Sequence, residues 1–356
     1  MNKLKVALIF GGKSNEYKVS QKSAEFVLNN IDSSKYDIHK IGITRDGNWV
    51  LTQASAYEIS KSEWLSSSGN KKIFFNTDDM KNPIYYIENG QMKPLKVDCF
   101  FPVLHGKNGE DGSVQGMFEV LNTNYIGSKI MASSICMDKE YTKKIAKSEG
   151  ILQAKSVTID YLAYLNKKVI IKDLIDKLGS FPLYVKPARG GSSIGVSKTY
   201  TEKELCKAVD RAFIEDEKVI IEEEIRGSEI EVAILGNNNP IVSVPGQIIS
   251  ENDWYDFNSK YKSNNSKTVI PARISSDINK KCMGIALKLY RLFDCKDLAR
   301  VDFFVDNDGN IFFNEINTLP GFTDISMYPK LMLHMGIDST RLISLLIDNS
   351  FSDSYW

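Results

Sequence analysis

The sequence predicts an α/β protein with an open sheet at its amino end, followed by smaller α+β lobes. Three observations carry this. Val6–Phe10 is an unbroken apolar run that stops at Gly11-Gly12, as a strand buried on both faces does, and a helix with Ala24, Val27, Leu28 and Ile31 on one side follows it. After about residue 122 the pattern shortens into alternating small helices and strands. Near the carboxyl end, Asp308-Gly309 between two apolar runs marks a hairpin.

Along the chain, Cys99–Leu104 reads as a second strand that runs into the polar segment His105–Gly112, after which Val114–Leu121 resumes helical periodicity. Ligands in open α/β sheets bind beyond the carboxyl ends of strands, so the loops Gly11–Ser20 and His105–Gln115 predict one crevice. Met137–Glu149 reads as a helix, Leu183–Lys186 as a strand and Gly195–Lys198 as another strand. Thr201-Glu-Lys-Glu204 matches a capping box and opens a helix carrying Leu205, Ala208, Val209, Ala212 and Phe213. Val219–Ile221 begins a strand-rich region that reaches a long polar, aromatic-bearing segment, 250–267, of the kind that forms lids or binding loops. The expected division is 1–121, 122–218 and 219–356.

The chain has 356 residues, which predicts two or three domains at about 150 residues each. With 42% hydrophobic and 25% charged residues it belongs with globular proteins. Lys+Arg 45 balances Asp+Glu 45, so the whole-chain field favours neither nucleic acid nor an anionic membrane. The five cysteines are widely spaced, without CxxC pairs, and predict reduced structural thiols. The short apolar start lacks a signal-peptide cleavage pattern, and no uncharged stretch approaches the roughly 18 to 20 residues of a membrane span. A cytoplasmic protein is expected.

The hairpin carries most chemistry. A two-residue Asp308-Gly309 turn puts Asp302 opposite Glu315 and Arg300 opposite Asn317, and period-two alternation sets all four on one side of the ribbon. Carboxylates about 5 Å apart repel unless a cation neutralises them. A hard divalent metal with oxygen ligands, Mg²⁺ above all, resolves this; a solvated hairpin face is the alternative.

Other segments are open at this level. Gly190-Gly-Ser-Ser-Ile-Gly195, after the strand bearing Lys186, reads as a flexible turn or as a phosphate flap whose N–H groups and hydroxyls close over anionic oxygens. It is not a Walker A loop, since no Gly-Lys-[Ser/Thr] follows. Gly11-Gly12 with Ser14 and Glu16 reads as a plain strand-to-helix turn. His105 reads equally as a satisfied or a functional histidine. Glu222-Glu-Glu224 is either a solvated charge run or a strip presenting backbone and carboxylates to a base and ribose.

Taken together, the segments GGKSNEYKVS, HGKNGEDGSVQG, MDKEYTK, VKPARGGSSIGVSK, EEEIRGSEIEVAILG, WYDFNSKY, RVDFF and NEINTLPGFTDISMYP resemble the D-alanine–D-alanine ligase family of the ATP-grasp superfamily, in order and spacing over essentially the whole chain. The resemblance implies an N-terminal Rossmann-like domain followed by a two-lobed ATP-grasp fold. It implies ATP-dependent synthesis of D-alanyl-D-alanine for peptidoglycan through a D-alanyl phosphate, in a cytoplasmic homodimer. Its cofactors would be ATP and two Mg²⁺ ions, with Mn²⁺ as a substitute and a monovalent cation such as K⁺ as an accessory.

By that resemblance Lys139 and Lys186 contact ATP phosphates under the loop that includes Ser193. Glu222, Glu223, Glu224 and Ile225 line the adenine, Glu229 the ribose, and Asp302, Glu315 and Asn317 hold the metal. Glu16 receives the ammonium of the first D-alanine in a network with Ser192 and Tyr261, and His105 lies nearby. Lys260 and Tyr261 belong to the closing loop. Arg300 and the backbone of Gly321 stabilise the tetrahedral intermediate, and Ser326-Met327 accept the second carboxylate. Tyr17 and Phe257 depart from the commonest pattern, where histidine and tyrosine are frequent. D-alanine–D-serine ligases share several of these motifs and form the alternative; Lys260-Tyr261 and the apolar Met327 favour D-alanine.

Overall fold

The computed structural model describes residues 3–79, 82–166, 171–250 and 266–352. The first sheet holds eight strands in the order β6-β5-β4-β3-β2-β1-β7-β8: β1 (Leu4–Gly11), β2 (Tyr36–Ile43), β3 (Trp49–Thr52), β4 (Lys71–Phe75), β5 (Ile84–Glu88), β6 (Gln91–Pro94), β7 (Cys99–Pro102) and β8 (Asn124–Tyr125). β2, β1, β7 and β8 run parallel; an antiparallel extension completes the sheet. Ile9 pairs with Pro102, so β1 and β7 end side by side and their loops flank one crevice, as the sequence predicts. The Ser20 hydroxyl joins these loops, accepting from Gly11 N at 2.8 Å and donating to Val103 O at 2.6 Å. Gly11 has φ 91°, and a Cβ there would stand 2.2 Å from Ile43 O, so only glycine fits.

The central sheet is antiparallel, β11-β10-β12-β9, from β9 (Ser156–Asp160), β10 (Leu183–Pro187), β11 (Ser197–Thr199) and β12 (Lys218–Glu223). The helix Glu202–Glu215 packs on it through Leu205, Ala208, Val209 and Ala212. Its cap differs from the expected box: Thr201 Oγ1 accepts from Glu204 N, but the Glu204 carboxylate accepts from Tyr200 N rather than from Thr201 N. The expected helix Met137–Glu149 is the helix Lys139–Ser148, and a further helix, Ile130–Met137, precedes it. Asp138 interrupts them because its extended backbone lets its carboxylate cap the second helix at Glu140 N and Tyr141 N.

The third sheet contains β13 (Gly227–Leu235), β14 (Ile241–Val242), β15 (Gly246–Ser250), β16 (Ser266–Val269), β17 (Leu298–Asp306) and β18 (Ile311–Asn317), in the order β16-β15-β13-β17-β18 with β14 beside β13. A cut at 122 would detach β8 from β7, and one at 219 would divide β12, which pairs with β10 and β9. The central lobe has its own apolar core. The first sheet and the third lobe instead share one, in which Phe322 meets Phe26 and Phe101 at ring-centroid distances of 5.6 and 6.1 Å.

The β17–β18 hairpin departs from its expected turn. Asp306 N donates to Asn310 O and Gly309 N to Asp306 O, both at 3.1 Å, so the loop has three residues, 307–309, with Gly309 at φ 82°. The Asp306 carboxylate holds it open by accepting from Asp308 N and Asn310 N. Phe303 accordingly faces Phe313, one residue out of the expected register. A bulge at Asn314 restores it, and Asp302 does face Glu315 while Arg300 faces Asn317.

All five cysteines are free thiols. Among the described residues no helix is long and apolar enough to cross a membrane.

Candidate active site

Strand order sets the floor of the site. β17 lies between β13 and β18, with Glu231 opposite Asp302 and Asp302 opposite Glu315. Three carboxylates therefore stand in one row across adjacent strands. Sequence reasoning finds two of them and expects a metal to relieve their repulsion. In the structure protein cations do so: Arg300 Nε and Nη2 each donate to Asp302 at 2.7 Å, Nε lies 3.0 Å from Glu231, and Lys139 Nζ lies 3.2 Å from Glu315. Burial opposes the Arg300 charge, but Asp302, Glu231 and Glu315 outweigh it and keep the guanidinium protonated.

A cleft of about 460 Å³ lies between the central and third sheets, over β12, β18 and the 190–195 loop. Lys139 opens its helix and donates to Gly190 O at 2.7 Å. Lys186 Nζ is 2.6 Å from Glu222 and 3.4 Å from Asn314 Oδ1. Lys143, one turn after Lys139, reaches the other Glu222 oxygen at 2.7 Å. Burial alone would raise the Glu222 carboxyl; Lys143 and Lys186 outweigh it and hold it down at about 2. Glu223 accepts from Lys155 N, and Glu224 pairs with Lys198 at 2.6 Å. The three glutamates thus hold protein cations and amides, and what this strip leaves for a ligand is its backbone up to Ile225. Glu229 lines the same cleft, and Ser192 and Ser193 hold left-handed φ of 50° and 59° in the loop beside it.

A second, smaller space of about 100 Å³ adjoins it, and both are bordered by Glu315, Gly191 and Ser192. Here Ser192 Oγ donates to Glu16 Oε1, joining the central lobe to the first crevice. A Cβ on Gly191 would stand 2.8 Å from Glu16 Oε2. Arg300, Asn317, Gly321, Ser326 and Met327 form the far wall. Ser326 Oγ accepts from Thr323 N at 3.1 Å, and the Met327 sulfur rests against Gly246.

His105 is buried. Its Nδ1 is 3.2 Å from Leu319 O and its Nε2 3.0 Å from Ser23 Oγ. A carbonyl only accepts, so Nδ1 carries the proton and Ser23 donates to Nε2. Burial, with Arg300 adding to it, lowers the ring to about 4. The histidine is a neutral strut that borders the small space, with both nitrogens engaged. Glu110, which sequence reading passes over, also borders it. Burial first, then the Glu16 and Glu315 charges, push Glu110 up to about 8, while its Oε2 accepts from Gly106 N at 2.6 Å.

Lys260, Tyr261 and the other aromatic residues of the expected closing loop lie outside the described residues. The remaining expected residues border one or other space, apart from Asp302, which lies beneath them in the carboxylate row. Among the described residues no three His, Cys, Asp or Glu side chains converge as a metal site. Two carboxylates with the Asn317 amide nevertheless suit a hard divalent cation, which commonly completes its shell with water and phosphate oxygens. Asn317 Nδ2 already donates to Asp302 at 3.0 Å, and the cation would have to draw Asp302 from Arg300. The residues missed from sequence are Lys143, Glu231, Asn314 and Glu110. Lys143 was legible as the fourth residue after Lys139, and Glu231 as two residues after Glu229 on one strand face. The bulge that turns Asn314 inward has no sequence signal.

Comparison with known proteins shows the family. Residues 5–128 match the family model described as D-ala D-ala ligase N-terminus, and 145–348 that of the D-ala D-ala ligase C-terminus. A D-alanine--D-alanine ligase of Caldicellulosiruptor bescii is 42% identical, over 98% of this chain and 95% of that protein. One of Clostridium acetobutylicum is 41% identical over 97% of each. Among solved structures, the VanG D-Ala:D-Ser ligase of Enterococcus faecalis superposes with TM-score 0.88 at 36% identity, covering 98% of this chain and 100% of that one. The D-alanine-D-alanine ligase of Coxiella burnetii gives 0.84 at 32%, covering 98% and 95%. The fold is the Rossmann-like domain with a two-lobed ATP-grasp unit. Matched by both models and by relatives over nearly its whole length, the chain belongs to the D-ala D-ala ligase family.

Proposed function

We propose that this protein joins two molecules of D-alanine, with ATP converted to ADP and phosphate through a D-alanyl phosphate, to supply the dipeptide for peptidoglycan precursors. The observation that carries the reading is the pair of adjoining spaces that meet at Glu315 and Ser192. One, of about 460 Å³, is lined by lysines and suited to a nucleoside triphosphate; the other, of about 100 Å³, is of small amino-acid size and lined by Glu16 and Arg300. Enzymes of this family are ATP-dependent ligases that use a divalent metal.

Lys139 and Lys186 would bind phosphate oxygens while the loop through Ser193 closes over them. The backbone of 222–225 would hold the base and Glu229 the ribose. Glu16, supported by Ser192, would pair with the ammonium of the first D-alanine and orient its carboxylate toward the nucleotide. Asp302, Glu315 and Asn317 would hold Mg²⁺ or Mn²⁺, which supplies positive charge against the phosphate oxygens. Arg300 and Gly321 N–H would stabilise the oxyanion that develops when the second amine attacks the acyl carbon. Ser326 and Met327 would receive the second carboxylate. Lys260 and Tyr261 would close the site and exclude water from the acyl phosphate. We place the enzyme in the cytoplasm as a homodimer; its balanced charge supports no nucleic-acid partner.

Incubation of the full chain with Mg²⁺-ATP, K⁺ and equimolar D-alanine and D-serine tests this by product mass. D-alanyl-D-alanine is the expected product. Similarity to the VanG enzyme keeps D-alanyl-D-serine as the competing outcome, which the apolar Met327 disfavours. Absence of any dipeptide across pH would overturn the proposal.

A further inference from the structure

We infer that Glu231 is a positioning residue for Arg300, retaining the guanidinium beside the small space when a divalent cation takes Asp302. The inference rests on the ligase reading. It starts from alternation on β13: Ile230 is fully buried in the core behind the sheet, which turns Glu229 and Glu231 to the cleft side. Register then sets Glu231 directly opposite Asp302, and Arg300 two residues before Asp302 on the same strand face.

Three carboxylates act on Arg300: Asp302, Glu231 and Glu315. Two of them belong to the expected metal set; Glu231 does not. The guanidinium now forks onto Asp302, with Nε and Nη2 each at 2.7 Å, and its Nε is also 3.0 Å from Glu231 Oε2. Asp302 cannot give the same lone pairs at full strength to this fork and to a dication. With Glu231 present, the guanidinium can lean toward a second anion already within reach and leave Asp302 to the metal. Without that charge Arg300 would settle on Asp302 and compete with the cation. Glu231 is only 3% exposed, and a buried carboxylate is retained at such a position only when a cation answers it. Glu231 itself borders the small space, and removing a partner that orients a metal site without ligating the metal typically changes metal affinity or activity by 10–100-fold.

The test uses the full chain with Glu231→Gln, which keeps shape and removes charge, and Glu231→Asp, which keeps charge one methylene back. Mn²⁺ binding is followed by the EPR signal of the free ion, in the presence of a non-hydrolysable ATP analogue. Nucleotide affinity is measured separately in EDTA, and kcat and the KM values under turnover. Glu231→Gln should weaken Mn²⁺ binding and lower kcat, each by about 10–100-fold, while nucleotide affinity in EDTA stays at the wild-type value. Excess Mn²⁺ should restore part of kcat, and Glu231→Asp should fall between the two. Wild-type Mn²⁺ affinity and kcat in Glu231→Gln would overturn the inference, as would an equal loss of nucleotide affinity in EDTA. Should Glu231→Gln fail to fold, Glu231→Asp decides, wild-type Mn²⁺ affinity being the contrary result. The titration requires no D-alanine, so failure of the wild type to form a dipeptide would remove the ligase reading and leave the role of Glu231 tested on its own.

Discussion

Lys139 Nζ lies 3.2 Å from Glu315 Oε2 and donates to Gly190 O at 2.7 Å, so a single ammonium joins a helix start, the glycine-serine loop and the hairpin. A phosphate entering the cleft competes with Glu315 for it. Lys139→Met should raise the KM for ATP on the order of tenfold or more, the scale of one lost charged hydrogen bond. An unchanged KM for ATP in steady-state kinetics would contradict this.

Removing the other partner has the opposite signature. Glu315→Gln frees Lys139 but withdraws a carboxylate from the metal set, so kcat should drop on the order of 10²-fold or more. Nucleotide binding in EDTA, read by calorimetry, should be equal or tighter than in the wild type. Equal turnover by the variant and the wild type would count against Glu315 as a ligand.

Glu222 stores a pH-dependent contribution to stability. Its folded carboxyl sits at about 2 against an ordinary 4.5, so the unfolded chain takes the proton first as pH falls. The contribution is complete above about 4.5 and is lost as pH drops through about 2. Lys143→Met leaves Glu222 with Lys186 alone, and should lower stability at neutral pH by about 1–3 kcal/mol. Urea titrations at several pH values should show a shallower acid slope for the variant than for the wild type.

His105 gives a second acid slope, at higher pH. The buried ring is held at about 4 against an ordinary 6.5, so the unfolded chain binds its proton first. Stability from this source is full above about 6.5 and lost as pH falls through about 4. His105→Gln, which can still donate to Leu319 O and accept from Ser23, should flatten that interval. The pH profile of kcat/KM should have no limb from this residue between about 5 and 8; a limb there that disappears in His105→Gln would refute the neutral-strut assignment.

Gly191 is tested by one methyl group. A Cβ would stand 2.8 Å from Glu16 Oε2, displacing the carboxylate expected to receive the first ammonium. Gly191→Ala should reduce kcat/KM for D-alanine about tenfold or more, since a small misplacement of a positioning group carries large rate effects. The KM for ATP should change less. Equal changes in both would place the effect in the loop as a whole.

What could be read from the chain follows from range. The β1 and β7 crevice was legible because apolar runs and glycine stops are local signals, and the Asp302–Glu315 pairing because a hairpin closes over few residues. That pairing was reached through two compensating departures: a three-residue loop shifts the register, and the Asn314 bulge shifts it back. Alternation could put Glu231 on the face of Glu229, but its pairing with Asp302 stayed hidden because β17 lies about seventy residues downstream and alternation on one strand cannot name the strand beside it. Arg300 and Lys139 also answer these carboxylates, a pairing the hairpin pattern did not give because partners for buried charges come from tertiary contacts. His105 resolved toward a satisfied ring only once Leu319 and Ser23 were brought to it.

Phe322, wedged against Phe26 and Phe101, has a consequence for exchanging parts between relatives. The two family matches divide the sequence between 128 and 145, yet the segment around 319–347 fills the same apolar core as the amino-terminal strands. A chimera joined in that interval would mate two surfaces that had adapted to other partners. A graft of the amino-terminal unit has to bring its matching carboxyl-terminal helices with it.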